Sequence, residues 1–106
     1  MRFKDRVAIV TGGTSGIGLA VARIFNREGA KVVLVGRDAD RGTSVLGQFR
    51  LDEAIFFQGD VGNAKDCERC VKVTRERFGR IDILFNNAGS IYVNRTVANT
   101  TEEEWD

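Results

Sequence analysis

Hydrophobic positions along the chain fall into four short runs, beginning near Val7, Val32, Ala54 and Ile81, with mixed polar and charged stretches between them. The runs start 25, 22 and 27 residues apart, and each interval has room for a helix and two short loops. Residues 7–10, 32–35 and 54–57 are apolar throughout, without alternation of apolar and polar side chains. Strands of that kind are covered on both faces, and helical connections between them impose parallel pairing through right-handed crossovers. The pattern predicts β-α-β-α-β-α-β, an α/β unit built on a parallel sheet.

The helical intervals differ in clarity. In the first, Ile17, Ala20, Val21, Ile24 and Phe25 follow i, i+3, i+4, i+7 and i+8, a single apolar stripe expected to face the sheet, and Gly29 stands where a C-terminal cap belongs. The second, over 39–50, offers Val45, Leu46 and Phe49 but contains Gly42 and Gly47. Each glycine costs up to about 1 kcal/mol relative to alanine, so this helix depends on the sheet beneath it. The third, over 63–78, places Ala64, Cys67, Val71, Thr74 and Phe78 on one face and Lys65, Glu68, Lys72, Arg75 and Glu76 outward, with Gly79 at its end. Thr100 with Glu103, or Thr101 with Glu104, opens a fourth helix as a capping box, and the sequence stops one turn later at Trp105-Asp106. A single domain over 1–106 is expected, cut short inside that helix.

Composition narrows the chemistry. There is no histidine, which removes Ser-His-Asp and Cys-His catalysis, histidine-ligated metal and a histidine base. Net charge is +1, with +3 over residues 1–53 and −2 over 54–106, so neither half carries the clustered basic excess of a nucleic-acid surface. The longest apolar runs are four residues, far below the ~20 that cross a bilayer, and the N-terminus lacks a secretory apolar segment. No membrane association and a cytoplasmic location are the expectations. Twelve glycines and no proline show backbone freedom being used somewhere.

Directly after the first strand the chain reads Thr11-Gly12-Gly13-Thr14-Ser15-Gly16-Ile17-Gly18 and runs into the first helix. Glycines permit a tight turn and close approach of a phosphate, and a helix N-terminus offers unpaired N–H groups with about half a positive charge. The hydroxyls of Thr14 and Ser15 add donors. No Gly-Lys-Ser/Thr follows, so this is not a P-loop, and a merely glycine-rich turn is the alternative.

At these residues the sequence resembles the short-chain dehydrogenases/reductases. Their T-G-x-x-x-G-x-G motif is matched by Thr11, Gly12, Gly16 and Gly18, and their N-N-A-G by Asn86-Asn87-Ala88-Gly89 after the fourth strand. Asp60-Val61 follows the third strand, and Glu103-Glu104-Trp105-Asp106 matches a common helix opening. The resemblance covers the whole chain and implies a Rossmann-like sheet of order 3-2-1-4 with flanking helices, truncated at the C-terminus. It further implies that residues 12–18, with Gly12, Thr14, Ser15, Gly16, Ile17 and Gly18, cradle the pyrophosphate of a dinucleotide. Asp60 and Val61 would meet the adenine, and Asn86, Asn87, Ala88 and Gly89 the adenosine ribose and the approach to the nicotinamide. A purely structural role for Asn86 and Asn87, tying the central strand to its neighbours, stands beside that one.

In such folds a carboxylate at the end of the second strand accepts from the ribose 2′-OH of NAD. Here the position is Gly36, followed by Arg37, whose guanidinium suits a bidentate clamp on a 2′-phosphate, so NADP(H) is favoured over NAD(H). A solvated arginine, with Asp38 reaching the ribose instead, is the other reading. Cys67 and Cys70 form a C-x-x-C without the second pair a zinc site needs, and are expected as reduced packing thiols on the third helix. No metal is expected. Asn94-Arg95-Thr96 and Asn99-Thr100-Thr101 match the glycosylation sequon, which has no use in a chain that is not secreted.

The resemblance places the catalytic Ser, Tyr-x-x-x-Lys and Asn in a C-terminal half that these residues do not include. The one tyrosine is Tyr92, four residues before Thr96, and no lysine follows Lys72. The chain therefore reads as the NADP(H)-binding part of an oxidoreductase acting on a carbonyl or secondary alcohol, inactive alone and without catalytic residues. A stand-alone dinucleotide-binding or sensing module, or an interaction protein that kept the fold, are the alternatives. With its fourth strand expected as an open edge, the chain is also expected to self-associate.

Overall fold

The computed structural model describes residues 2–87 and, of residues 90–93, the backbone. Five strands and three helices alternate as β1 (Val7–Thr11), α1 (Gly16–Arg27), β2 (Lys31–Gly36), α2 (Ala39–Val45), β3 (Ala54–Gln58), α3 (Ala64–Phe78), β4 (Ile83–Asn86) and β5 (Ser90–Val93). The sheet order is β3-β2-β1-β4-β5. β1 pairs in parallel with β2 and β4, through Ile9 with Val33 and Ile9 with Leu84, and β2 pairs in parallel with β3. The predicted parallel order 3-2-1-4 is present, flanked by helices.

One expectation is overturned at its edge. β4 is not open: β5 runs antiparallel along it, from Asn86 opposite Ser90 to Ile83 opposite Val93. The backbone groups that would have invited self-association through β4 are paired within the chain.

Both sheet faces are covered, which explains strands without polar alternation. Ala8, Val10, Val32, Leu34 and Ile83 point into one cluster with Ala22 of α1 and Val45 of α2, and Phe25, Phe49 and Phe56 pack against it. Ile9, Val33, Val35, Ile81 and Leu84 point to the other side, where Cys70, Val71 and Phe78 meet them. Successive residues of a strand alternate between two cores, and β1 and most of β2 are buried along their length.

The helices depart from the predicted faces in ways that have a physical cause. α1 docks through Gly18, Ala22 and Asn26, whereas Ile17 is 70% and Ile24 47% exposed. A Cβ at Gly18 would lie 2.0 Å from the Gly12 carbonyl oxygen, so the helix comes too close for large side chains and the small residues take the inner face. Asn26 is buried there because it is satisfied: its Nδ2 donates to the Ala30 carbonyl at 3.0 Å and its Oδ1 accepts from Arg50 N at 2.9 Å. α2 ends at Val45 and tightens into a 3₁₀ turn at Leu46–Gln48, short of the expected residue 50. Gly42 allows α2 to lie against the Phe56 ring, which a Cβ would meet at 2.3 Å.

α3 begins and ends as expected. Asn63 caps it by accepting from Lys65 N and Asp66 N, and Gly79, at φ 84°, closes it by donating to the Arg75 carbonyl at 2.8 Å. Its most buried line is Cys70 and Thr74, while Ala64 is exposed and Cys67 half-buried. Thr74 tolerates that position because its hydroxyl donates to the Cys70 carbonyl at 2.7 Å. The fourth helix, both sequons and the Tyr92 side chain lie outside the described residues.

Candidate functional site

The C-terminal ends of β1, β2, β3 and β4 surround an open cleft of about 410 Å³. Thr11 and Gly12 line it from β1, Val35, Gly36 and Arg37 from β2, Gly59, Asp60 and Val61 from β3, and Asn86 and Asn87 from β4, with Thr14 at its side. Parallel strands place their following loops on one side, which is where open α/β sheets form ligand crevices.

The β1–α1 loop is built around close backbone approaches. Gly12 and Gly16 have φ of 64° and 56°, a region that disfavours residues with a Cβ. Gly12 N donates to the Val35 carbonyl at 2.9 Å, and the Asn87 side chain lies directly against Gly12, where a Cβ would meet its Nδ2 at 2.9 Å. Around Gly16 a Cβ would find nothing within 4 Å, so that turn faces open space. Ser15 caps α1 in extended conformation without using its side chain in the cap, and the first turn has no acidic residue. The free N–H groups of the first turn, the positive helix end and the open side of the loop fit a phosphate. A cleft of several hundred Å³ beside it fits the remainder of a dinucleotide.

Thr11 joins the central strands at this end. Its hydroxyl lies 3.1 Å from Asn86 Oδ1 and 3.4 Å from the Phe85 carbonyl, and it accepts from Asn87 N at 3.0 Å. The single hydroxyl hydrogen goes to the nearer Asn86. The structural role weighed for the asparagines is therefore present: Asn86 accepts from β1, and Asn87 sits on Gly12.

At the end of β2, Gly36 packs against Thr14, to whose Cγ2 and Oγ1 a Cβ would come within 3.4 Å. Arg37 is exposed, and its carbonyl accepts from Gln58 Nε2 at 3.2 Å. Asp38 caps α2, its Oδ1 accepting from Arg41 N at 3.1 Å. At the end of β3, Asp60 organises a turn: its Oδ1 accepts from Gly62 N at 2.8 Å and its N donates to Asp66 Oδ2 at 2.8 Å. Asp66 in turn pairs with Arg69. Val61 is 47% exposed beside the cleft, and its carbonyl accepts from the Cys67 thiol at 3.3 Å.

The structure thus brings Gly12, Thr14, Arg37, Asp60, Val61, Asn86 and Asn87 around one space. Ser15, Gly16, Ile17 and Gly18 form the cap and first turn of α1, Ile17 pointing outward and Gly18 buried against Gly12. Ala88 and Gly89 lie outside the described residues. Sequence reasoning missed Gly59, which directly follows β3 and lines the cleft, and the contact behind the lining in which Arg41 Nε donates to the Thr14 carbonyl at 3.0 Å. The first follows from locating the strand end; the second joins positions 27 residues apart and has no local signal.

The two thiols are free. Burial pushes the Cys70 thiol up to about 12, against the opposing hydrogen bond to Thr74, and the nearby Cys67 adds to the rise. Among the described residues, no group of three or more histidine, cysteine, aspartate or glutamate side chains can hold a metal ion, and no helix is long and apolar enough to cross a membrane.

A family model described as short chain dehydrogenase matches residues 6–106. The NADP-dependent (R)-specific alcohol dehydrogenase of Lentilactobacillus kefiri is 46% identical over 105 residues, covering 98% of this chain and 41% of that protein. Short-chain dehydrogenase reductase 3a of Arabidopsis thaliana is 44% identical over 89 residues, 84% of this chain and 35% of the relative. Among solved structures, the apo-form glucose dehydrogenase of Caenorhabditis elegans superposes with a TM-score of 0.78 at 38% identity, over 85% of this chain and 40% of that one. The chain spans roughly two-fifths of the length of these relatives. Its order of strands, its glycine turn against α1 and its sequence agree in one assignment: the chain belongs to the short-chain dehydrogenase/reductase family.

Proposed function

We propose that this chain is the NADP(H)-binding part of an oxidoreductase that moves a hydride between a nicotinamide and a carbonyl or secondary alcohol. The observation that carries the cofactor choice is the end of β2. Gly36 presents no side chain, Arg37 is exposed at the cleft, and the carboxylate that follows, Asp38, caps the Arg41 N–H. A guanidinium at that place suits a 2′-phosphate, whereas NAD recognition asks for a carboxylate aimed at the ribose hydroxyls. The Lentilactobacillus kefiri relative is NADP-dependent, which supports the same choice.

The bound dinucleotide supplies the hydride donor or acceptor at its nicotinamide ring. The residues here bind and orient: the α1 N-terminus and residues 12–18 the pyrophosphate, Asp60 and Val61 the adenine, Asn86 to Gly89 the ribose and the way to the ring. The 106 residues contain no Tyr-x-x-x-Lys, and the chain is proposed to show no turnover by itself. A cytoplasmic setting belongs to the same reading. Self-association does too; with β4 covered, it rests on the outward Ile17 and Ile24 of α1, and light scattering that finds a stable monomer removes it.

Calorimetric titration with NADPH and NADH tests the cofactor choice. NADPH is expected to bind more tightly, and Arg37→Ala to remove the difference. Equal or tighter binding of NADH by the unaltered chain overturns it.

A further inference from the structure

We propose that Arg41 is a second specificity-determining residue: held in place by Thr14, its guanidinium joins that of Arg37 in a two-arginine cradle for a phosphate monoester on the adenosine ribose. The inference rests on the NADP(H) reading above and extends it to a residue on a different element.

Thr14 is the hinge of the argument. Its side chain packs on Gly36, the residue before Arg37, and its carbonyl accepts from Arg41 Nε at 3.0 Å. One residue of the glycine loop therefore touches both Gly36 at the end of β2 and Arg41 in the first turn of α2, so the two arginines stand on segments that meet at Thr14. The Nε bond fixes the plane of the Arg41 guanidinium. Its two Nη groups make no hydrogen bond or ion pair among the described residues, and neither does the guanidinium of Arg37. Arg6, Arg50, Arg69, Arg77 and Arg80 are ion-paired; Arg23, Arg27 and Arg75 are open among the described residues as well, but they stand on α1 and α3 and not at the end of β2.

The neighbouring carboxylates, Asp38 beside Arg37 and Asp40 beside Arg41, form no ion pair with this charge among the described residues. Asp38 accepts from the backbone N–H of Arg41 rather than from its side chain. A phosphate monoester carries close to two negative charges and three acceptor oxygens near neutral pH, more than one planar fork satisfies. Two guanidiniums, one of them already immobilised, meet that demand with less loss of side-chain freedom than two free ones. The neutral 2′-hydroxyl of NAD(H) gains nothing comparable, so the contribution of Arg41 is selective.

The test uses the full chain with four probes: NADPH, NADH, adenosine 2′-monophosphate and adenosine 5′-monophosphate. Arg41→Gln keeps an N–H donor for the Thr14 carbonyl and removes the charge; Arg41→Lys restores charge without the fork. Arg41→Gln is expected to weaken NADPH and the 2′-monophosphate about tenfold, the scale of one charge-assisted contact, while NADH and the 5′-monophosphate change less than about twofold. The fall of NADPH affinity with added salt should become shallower, and Arg41→Lys should recover part of the loss.

Equal weakening of NADPH and NADH by Arg41→Gln would show that Arg41 only staples the loop, and overturns the inference. No change for any probe overturns it as well. The two proposals fail differently. Preference for NADH by the unaltered chain defeats both. If Arg37→Ala abolishes the NADPH preference and neither Arg41 variant alters it, the cofactor reading stands and the cradle falls. Should Arg41→Gln melt early, Arg41→Lys decides: a partial, NADPH-selective loss supports the cradle, and unaltered selectivity refutes it.

Discussion

The two ends of the parallel sheet handle polar groups in opposite ways. At the N-terminal ends, Asp82 is 8% exposed and fully engaged. Its Oδ2 accepts from Val7 N at 2.9 Å, Arg80 reaches it at 2.6–3.1 Å, Arg6 lies 3.4 Å away, and its own N donates to the Val7 carbonyl at 2.9 Å. Burial pushes the Asp82 carboxyl up, but the bonds from Arg80 and Val7 and the charges of Arg80 and Arg6 outweigh it and hold it below the ordinary value. At the C-terminal ends stand glycines, the open first turn of α1 and the exposed Arg37 around a cleft. One end closes a buried charge with two arginines, and the other leaves Arg37 exposed beside an open cleft. The closed polar cluster and the proposed recognition site thereby lie at opposite ends of the strands.

That separation can be broken at several points. Gly18→Val is expected to act most strongly, because a side chain cannot occupy the space 2.0 Å from the Gly12 carbonyl. Overpacking there should cost about 3 kcal/mol or more and abolish dinucleotide binding, read by urea unfolding and calorimetry. It is the one site where the two functions meet, and full binding by a stable variant would contradict the described docking of α1.

Asp82→Ala should come next. It strands the buried Val7 N–H and costs about 1–3 kcal/mol in unfolding experiments, while the ratio of NADPH to NADH affinity stays unchanged. A shifted ratio would show that the ends communicate.

The same carboxylate sets the acid limb of stability. Because its folded pKa is lowered, its contribution is complete above the unfolded value of about 4 and is lost as pH falls through the folded one. Unfolding free energy should therefore decline as pH falls below about 4, and the decline should be shallower in Asp82→Asn. An unaltered acid limb in that variant would assign it to other carboxylates.

Arg37→Ala should have the smallest effect on stability, within about 0.5 kcal/mol, because the side chain is exposed and carries no contact of the fold. Its effect is expected in binding alone. A lowered melting temperature would mean that the C-terminal end is structural after all.

How far these properties were legible in the sequence depended on how local their causes are. The four parallel strands, the glycine turn and the Gly79 stop are decided by neighbouring residues, and all three were readable. The inner face of α1 was not. Counting apolar residues favours Ile17 and Ile24, while the actual face is chosen by a backbone contact between Gly18 and Gly12. Nothing local marks Asn26 and Asp82 as buried, because their partners, Arg50 and Val7, lie 24 and 75 positions away. The return of β5 onto β4 was missed because the expected topology had β4 as an edge. Of the candidate site, the strand-end residues followed from motif and position, and Arg41 required the three-dimensional contact.

Asn26 carries one more consequence. Its carboxamide bonds the Ala30 carbonyl before β2 and the Arg50 N–H before β3, so the end of α1 is knotted to the entrances of two strands. Opening any of the three segments forfeits bonds held by the others. In native-state deuterium exchange, the amides of α1, β2 and the lead into β3 should open as one cooperative unit rather than fray in turn.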